Sequence, residues 1–386
     1  MKTRKLYYED CHLRQFTATV TGCVSTEKGW QITLDATAFY PEGGGQACDL
    51  GSLGSVQVLD VREQDDTVIH LCDGPLEVGS SVTGCLDWDR RFDLMQQHSG
   101  EHILSGLVSQ KYGFHNAGFH VGKDVMEIDF DGLIPPEDIP GLEAQANQVI
   151  WQNLCIHCHI PDPEALAQAT YRSKRALPWP VRLVQIPDTD SCACCGVHVA
   201  STGEIGLIKI LSWTKFHQGV RLELVCGKRA WDYLQQVFFQ NRQVSQQLSA
   251  KPLETAGAVK KLQDALAEEK FRCAGLQKQV FSAIAKDYVN QQDVLHFANS
   301  LEPGLVRELA DSIAQVCCGW AAVFSPREGG YSYCLASRDT DLRQLGKAMT
   351  ASLNGRGGGK PNFQQGTVAA EEAQIRSFFE QEEHHA

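Results

Sequence analysis

Two histidines spaced four apart raise the first question of chemistry: His98 and His102, in QQHSGEHILSGLV. On a helix they lie one turn apart on the same face, so both can reach one ion. Zinc takes four ligands, thiolates or imidazoles, in a tetrahedron. The stretch also reads H-x-x-E-H, a zinc-peptidase pattern in which Glu101 would be the general base. Such a peptidase needs a third protein ligand downstream, commonly a glutamate. The chain offers instead a second dyad of matching spacing, Cys194 and His198 in DSCACCGVHVASTGEIG, with Gly196 permitting a tight turn between them. An H-x-x-x-H pair alone is weak, because helix surfaces carry two histidines by chance. The later C-x-x-x-H pair makes one shared zinc site the stronger reading. Cys192 and Cys195 are spare thiols beside it, either bystanders or alternates for Cys194. A rival cluster, Cys155, His157, Cys158 and His159 in LCIHCHI, reads better as an ordinary strand, on which Cys158 faces away from the other three. Glu101 next to a histidine is, in the ordinary case, a solvated helix glutamate.

The elements that must position these residues divide the 386-residue chain into four parts of a mixed α+β fold. Residues 1–90 hold short β-rich runs such as WQITLDATAFY, GSVQVLDVRE and DTVIHLC, separated by Gly, Asp and Pro, which predicts a small β-barrel. Residues 91–235 mix helix and strand. There DLMQQHSGEHILSGLVSQKYG fits a helix closed by Gly113, while VMEIDFDG and VRLVQIPD fit strands. Residues 236–290 turn helical and predict an arm. Val259, Leu262, Leu266, Cys273, Leu276 and Val280 share one seam that Glu269 interrupts, after a break at Pro252. The seam suits a helix packed on its own domain and a dimer coil equally. Residues 291–386 alternate helix (GLVRELADSIAQV) with strand (GWAAVFSP, YSYCLASR) and end in a Gly-rich loop and an acidic tail, which predicts a C-terminal α/β domain.

Bulk properties narrow the class. Charge content and hydrophobic fraction are those of a soluble globular protein. The charged N-terminus has no apolar core of a signal peptide, and no apolar run is long enough to span a bilayer. The 15 cysteines cluster with histidines in a large chain, which favours reduced thiols and metal in the cytoplasm over disulfides. A net charge of −12 excludes a general nucleic-acid coat but leaves room for local basic faces.

The motifs also carry a resemblance. HSGEHIL, VRLVQIPDTDSCACCGVHVASTGEIGLIKI and GVRLELVCGKRAW resemble the editing domain of alanyl-tRNA synthetases and their free-standing AlaX-type relatives. TAFYPEGGGQACDLGSL is similar to the family's T-x-F-Y-P-x-G-G-G-Q segment. NGRGGGKPNFQQG is similar to the last domain of the synthetases, which is related to a domain of DHH phosphoesterases. The order is the family's, and the matches span nearly the whole chain. About 35 residues precede the GGGQ segment, leaving no room for an aminoacylation domain, so the expectation is a long stand-alone form that edits without charging or using ATP.

The resemblance implies that His98, His102, Cys194 and His198 ligate Zn2+. It places Thr37 and Gln46 on the editing pocket, with Gly43, Gly44 and Gly45 letting the backbone approach the aminoacyl end; the plain reading of those glycines is a turn needing positive φ. Asp190 falls at the interval of an outer partner of the site, and Glu101 is a candidate proton carrier. Where the family carries C-G-G-T-H, this chain has Cys195 and Val197: the first adds bulk and restricts φ, the second removes a hydroxyl from the substrate-facing loop. The implied reaction is hydrolysis of the ester in mischarged Ser-tRNA(Ala), with Gly-tRNA(Ala) a further substrate, because an alanine pocket excludes glycine and serine poorly. The alternatives are a non-catalytic zinc-containing tRNA-binding protein and the H-x-x-E-H peptidase.

The expected partner is tRNA(Ala), with no membrane. A homodimer would form through the arm or the C-terminal domain. Three basic stretches could meet phosphates: Arg172, Lys174, Arg175 and Arg182; Lys209, Lys215, Arg221, Lys228 and Arg229; and Arg356 and Lys360 flanking Gly357, Gly358 and Gly359 as cations around a flexible turn. The resemblance favours the last.

Overall fold

A computed structural model describes residues 2–173 and 177–383; Lys174 and Arg175 of the first basic stretch lie outside the described residues. The chain forms two compact units, divided between Gln243 and Val244.

In the first unit, six strands close into a barrel in the order Gln15–Thr26, Gly29–Leu34, Thr67–Cys72, Val56–Gln64, Gly51–Leu53 and Ser81–Leu86. The period-2 alternation explains the closure: Phe16, Ala18, Val20, Ile32, Leu34, Val61 and Val68 all point into one apolar core. Among them sits His70, fully buried. Its Nδ1–H donates to the Ile32 carbonyl (3.1 Å), and its Nε2 accepts the Thr37 hydroxyl (2.9 Å). Burial outweighs the carbonyl contact and pushes the imidazole pKa down to about 4.

That shift makes a prediction. An unfolded histidine titrates near 6.5, so between pH 6.5 and 4 the unfolded chain binds the extra proton and stability rises with pH. The contribution of His70, about 3 kcal/mol for such a shift, is complete above pH 6.5 and lost as the pH falls toward 4. Hydrogen exchange of barrel amides, corrected for intrinsic rates, should lose protection through this window. His70→Gln should flatten the loss.

The barrel hands the chain to a long helix, Trp88–Tyr112, capped by Asp87, whose carboxylate accepts the Arg90 N–H (3.2 Å). Arg91 on its first turn is fully buried and holds both the Asp49 carboxylate and the Ala38 carbonyl. Asp49 in turn accepts the Tyr40 N–H (2.5 Å). The helix start is therefore pinned to the segment that carries Gly43–Gln46. From Leu94 to Gly106 the helix is buried on every side. A four-stranded sheet (Ile208–Phe216, Gly219–Cys226, Met126–Phe130, Asn116–Val121), a three-stranded sheet (His157–His159, Leu183–Ile186, Asp190–Ala193) and the helix Ile139–Trp151 share its core, where Ile103, Leu104 and Val108 meet Ile128, Leu222 and Val184.

In the second unit, the helix Thr255–Lys286 leaves Val259, Leu262, Leu266, Cys273, Leu276 and Val280 exposed. Only Phe281 and Ala285 at its base are buried, in a core shared with helix Pro303–Ala314. A five-stranded sheet follows in the order Val294–Phe297, Trp320–Arg327, Gly330–Ser337, Phe363–Val368, Gly355–Lys360; its first pair is parallel and the rest antiparallel. Helices Arg343–Ser352 and Glu372–Glu383 join its second core through Met349, Ile375 and Phe379. The Gly-rich run departs from the expected flexible turn. Gly355–Lys360 is an edge strand laddered to Phe363–Val368, and Arg356 and Lys360 lie at alternating positions along it, without a carboxylate partner among the described residues. The glycines let this backbone lie flat against its neighbour rather than loosen it: a side chain on Gly357 would meet the Tyr333 hydroxyl at 2.1 Å. No helix among the described residues is long and apolar enough to cross a membrane.

Candidate metal centre and pocket

His98 and His102 stand one turn apart on the buried helix. Cys194 and His198 come from the loop that follows strand Asp190–Ala193. One ligand atom from each of the four lies within 4.8 Å of the others. Arg182 holds the loop: its Nη1 donates to the carbonyls of Cys194 (3.0 Å) and Gly196 (2.9 Å), and its own carbonyl accepts the Cys194 N–H (3.1 Å). Gly196 is demanded by space rather than by φ, because a side chain there would sit 2.2 Å from the His98 ring.

Each histidine is oriented from behind. The Nδ1 of His98 meets Gln46 Oε1 (2.9 Å), that of His102 meets Asp190 Oδ2 (3.0 Å), and that of His198 meets Ser99 Oγ (3.1 Å). A proton held at Nδ1 leaves the Nε2 lone pair for the centre of the cluster, the outer-partner arrangement of metal-bound imidazoles. Two further observations test the fit to a cation. His198 Nε2 is buried with no hydrogen-bond partner among the described residues. The Cys194 thiol is tuned toward thiolate: burial pushes it up, but His98, His102 and His198 overcome this and hold its pKa well below the usual thiol range. The Gly196 N–H also donates to its sulfur (3.3 Å).

Burial pulls the His102 imidazole down, but Asp190 and Cys194 outweigh it and raise its pKa well above the usual value. Burial, then the neighbouring His98 and His102, push His198 well below it. A buried cluster that stabilises a proton between two anions can exchange that proton for a metal ion. Three imidazole nitrogens and one thiolate fit zinc.

The spare thiols separate on the same physics. Burial pushes Cys192 up to about 11 and desolvation also raises Cys195, away from a ligand's thiolate, whereas Cys194 is held below the usual thiol range. Cys195 takes an ordinary negative φ, so its replacement of glycine carries no backbone strain. It lies at the pocket wall, where its carbonyl accepts the Tyr8 hydroxyl (2.6 Å). His157–His159 is an exposed strand. The ligand atoms of Asp10, Cys11 and His12 also lie close together, but burial raises the Cys11 thiol to about 11, away from a ligand's thiolate.

Beside the cluster opens a cavity of about 900 Å3, walled by apolar Phe119, Ile160, Leu177 and Pro180 and by polar Glu101 and Asn116. Glu101 is 5% exposed, not solvated as a helix glutamate usually is. Its carboxylate accepts from Ser105 Oγ and Asn116 Nδ2 (2.6 Å), and its Oε2 stands 3.8 Å from His102 Nε2. Asp190 is gripped bidentately by Arg172 (2.7 and 2.8 Å). Burial raises the Asp190 pKa, but His102 and Arg172 overcome it and hold it below the usual carboxylate value.

The residues expected at the site are placed unequally. Gln46 is buried against His98, and its Oε1 also accepts the Val197 N–H (3.2 Å). Gly43 and Gln46 close a turn through two backbone hydrogen bonds (3.1 and 3.0 Å), with Gly44 and Gly45 at positive φ. Of these glycines, Gly44 forms part of the pocket wall, while Gly43 and Gly45 line an adjoining groove with Arg62 and His120. Thr37 does not reach the pocket: it is buried in the barrel against His70, and its oxygen also accepts the Phe39 N–H (3.1 Å). Val197 is 1% exposed and belongs to the core; only its N–H reaches the site, through Gln46.

Sequence reasoning missed Asn116, Ser105, Tyr8 and Ser99, none of which belongs to a ligand spacing, although Ser99 lies within HSGEH itself. Arg172 and Arg182, expected only as part of a basic stretch that could meet phosphates, are both built into the site. The second basic stretch is largely paired off, Lys209 with Glu143, Arg221 with Asp129 and Glu127, Arg229 with Asp93, and Lys228 with Asp232.

Comparison with known proteins adds the family context. The second additional domain of threonyl- and alanyl-tRNA synthetases matches residues 181–222, and the class II (A) tRNA synthetase family matches residues 2–90. Alanine–tRNA ligase of Thermofilum pendens is 32% identical over 95% of this chain and 42% of its own length. An alanyl-tRNA editing protein of Danio rerio is 27% identical over 92% of both chains. Another from Xenopus laevis is 34% identical over 66% of this chain and 63% of its own. The chain spans less than half the length of the ligases it matches.

Proposed function

Because the chain belongs to the family that joins alanyl-tRNA editing proteins of the AlaX type with the editing and C-terminal parts of alanine–tRNA ligases, we propose that it hydrolyses the ester of mischarged tRNA(Ala), with seryl-tRNA(Ala) the preferred substrate and glycyl-tRNA(Ala) a second one. The observation that carries this reading is the cluster of His98, His102, Cys194 and His198, each imidazole held at Nδ1, opening on a cavity large enough for an aminoacylated nucleoside.

When bound, zinc supplies a positive centre that orients or polarises the aminoacyl end. The chain supplies the rest. Glu101 accepts a proton from a water at the ester carbon, a role supported by its contacts: Ser105 and Asn116 hold one carboxylate oxygen, and the other lies on the side of His102. Apolar walls limit the water that reaches the ester. Gln46 and Asp190 act through the histidines, fixing their rings. A tRNA ester is labile enough that positioning, rather than a strong nucleophile, suffices. The protein should release serine from Ser-tRNA(Ala) at least tenfold faster than alanine from Ala-tRNA(Ala), the discrimination of a small polar or steric difference. Tight tRNA binding without turnover of any aminoacyl ester by zinc-loaded protein would overturn the reading in favour of a non-catalytic binder. Cleavage of peptides would favour the peptidase.

The second unit is proposed to hold the tRNA body. Arg356 and Lys360 on the Gly-rich edge strand are cations with no carboxylate partner among the described residues. Arg356→Ala with Lys360→Ala should weaken tRNA binding roughly tenfold and reduce the slope of log affinity against log salt by about one to two. Metal content should not change. An unchanged salt slope would remove these residues from the interface.

A further inference from the structure

The pocket wall carries two arginines, Arg172 and Arg182, and their electrostatic situations differ. The fork of Arg172 is spent on Asp190, so its charge is neutralised where it stands. Arg182 has no carboxylate partner among the described residues. Its Nη1 is occupied by two backbone carbonyls, Cys194 and Gly196, which hold the guanidinium in place without cancelling its charge. Its plane is packed on Tyr8, with Cζ 4.5 Å from the ring centroid, and Tyr8 is anchored through its hydroxyl to the Cys195 carbonyl. The stacking and the two carbonyl bonds remove most of the rotamer freedom that a surface arginine would lose on binding. Apart from a hydrogen bond shared with the Cys158 sulfur, what remains is the rest of a planar donor fork, rigid and positive, on the wall of the cavity that receives the substrate. That is the group that recognises a phosphate oxygen.

We propose that Arg182 binds the phosphate of the substrate's terminal nucleotide and thereby sets the direction in which the aminoacyl-adenosine lies in the pocket. The inference rests on reading this pocket as an aminoacyl-tRNA site. Glu101, on the same pocket wall, offers an acceptor where Arg182 offers donors. A substrate whose phosphate meets the donor fork therefore turns its aminoacyl end toward Glu101 and the cluster. In a chain of net charge −12, an uncompensated arginine in the pocket also offsets the repulsion that an incoming phosphate would meet.

The test compares two ligands on the same protein. Calorimetry would measure binding of a non-hydrolysable amide analogue, 3′-seryl-amino-3′-deoxyadenosine, with and without a 5′-methyl phosphate, to the zinc-loaded full chain. The wild type should bind the phosphorylated analogue about tenfold to a hundredfold more tightly, the value of one charge-assisted hydrogen-bonded contact. Arg182→Gln should bind both equally, and Arg182→Lys should recover part of the preference. Because Arg182 also holds the Cys194 loop, Arg182→Gln could weaken both ligands together. The ratio between them is what a purely structural role would leave unchanged. A wild type that does not distinguish the two ligands, an Arg182→Gln variant that still does, or failure to bind either analogue would each overturn the proposal. Turnover of Ser-tRNA(Ala) is measured separately, so loss of the deacylase reading and loss of the phosphate assignment give different patterns.

Discussion

Cys194→Ala should empty the metal centre and take deacylation of Ser-tRNA(Ala) with it. Cys194 is the one donor of the four that brings a negative charge, and three imidazoles pull its thiol toward thiolate against the cost of burial. Without it, three imidazoles face one another in a buried space, two of them less than 5 Å apart by ring centroid in each pairing with His198. Their Nε2 atoms then have neither metal nor thiolate. Zinc measured by mass spectrometry should fall from one per chain to well below half. Turnover should fall on the order of a thousandfold or more, the range that removing a single charge-stabilising group already reaches. The neighbouring thiols should not rescue the variant, since the Cys192 thiol is raised to about 11 by burial and that of Cys195 is raised as well. Cys192→Ala is the matching control and should retain zinc and activity. If Cys194→Ala keeps full zinc, the four-residue assignment is wrong. If it loses zinc but not turnover, the metal has no part in the hydrolysis.

What could be read from the sequence was what is local. His98–His102 and Cys194–His198 are spacings within single elements, and a spacing of four says which atoms can meet without knowledge of the fold. The strand runs before residue 90 were equally legible, because alternation toward one core is a property of each strand by itself. The supports of the cluster are different in kind. Gln46 reaches His98 across 52 residues, Asp190 reaches His102 across 88, and Ser99 reaches His198 across 99. Resemblance pointed to the first two; nothing pointed to Asn116, which orients Glu101 from the far side of a helix terminus. Thr37 shows the converse limit. It lies close in sequence to the GGGQ segment, yet its hydroxyl turns into the barrel to satisfy His70, whose burial would otherwise leave Nε2 unpaired. The basic stretches misled because sequence counts cations and not their partners: Arg221 and Arg229 are matched by carboxylates remote in sequence. The Gly-rich run misled for a related reason. Glycine signals freedom only when nothing pairs with its backbone, and here a neighbouring strand does.

Glu101→Gln should separate proton transfer from metal holding. Glutamine keeps the shape and can still accept from Ser105 and Asn116 through its carbonyl oxygen, but it cannot take a proton. Glu101 sits between those two donors and the cluster, with its second oxygen 3.8 Å from His102 Nε2. It is too buried to be a solvated surface charge and too far from His102 for a direct hydrogen bond. A carboxylate kept in such a place costs desolvation, and two donors on one oxygen offset only part of it. A water bridging the free oxygen and the ester would use the remainder. If so, Glu101→Gln should retain one zinc per chain and its affinity for Ser-tRNA(Ala), while kcat falls about a hundredfold to ten-thousandfold, the usual contribution of a general base. Asn116→Ala should fall between the wild type and this variant, because the carboxylate remains but is no longer aimed. A Glu101→Gln protein with wild-type kcat would leave Glu101 as a helper of His102 alone. One that loses zinc and kcat together would make it part of the metal's support, and the proton would have to leave by another group.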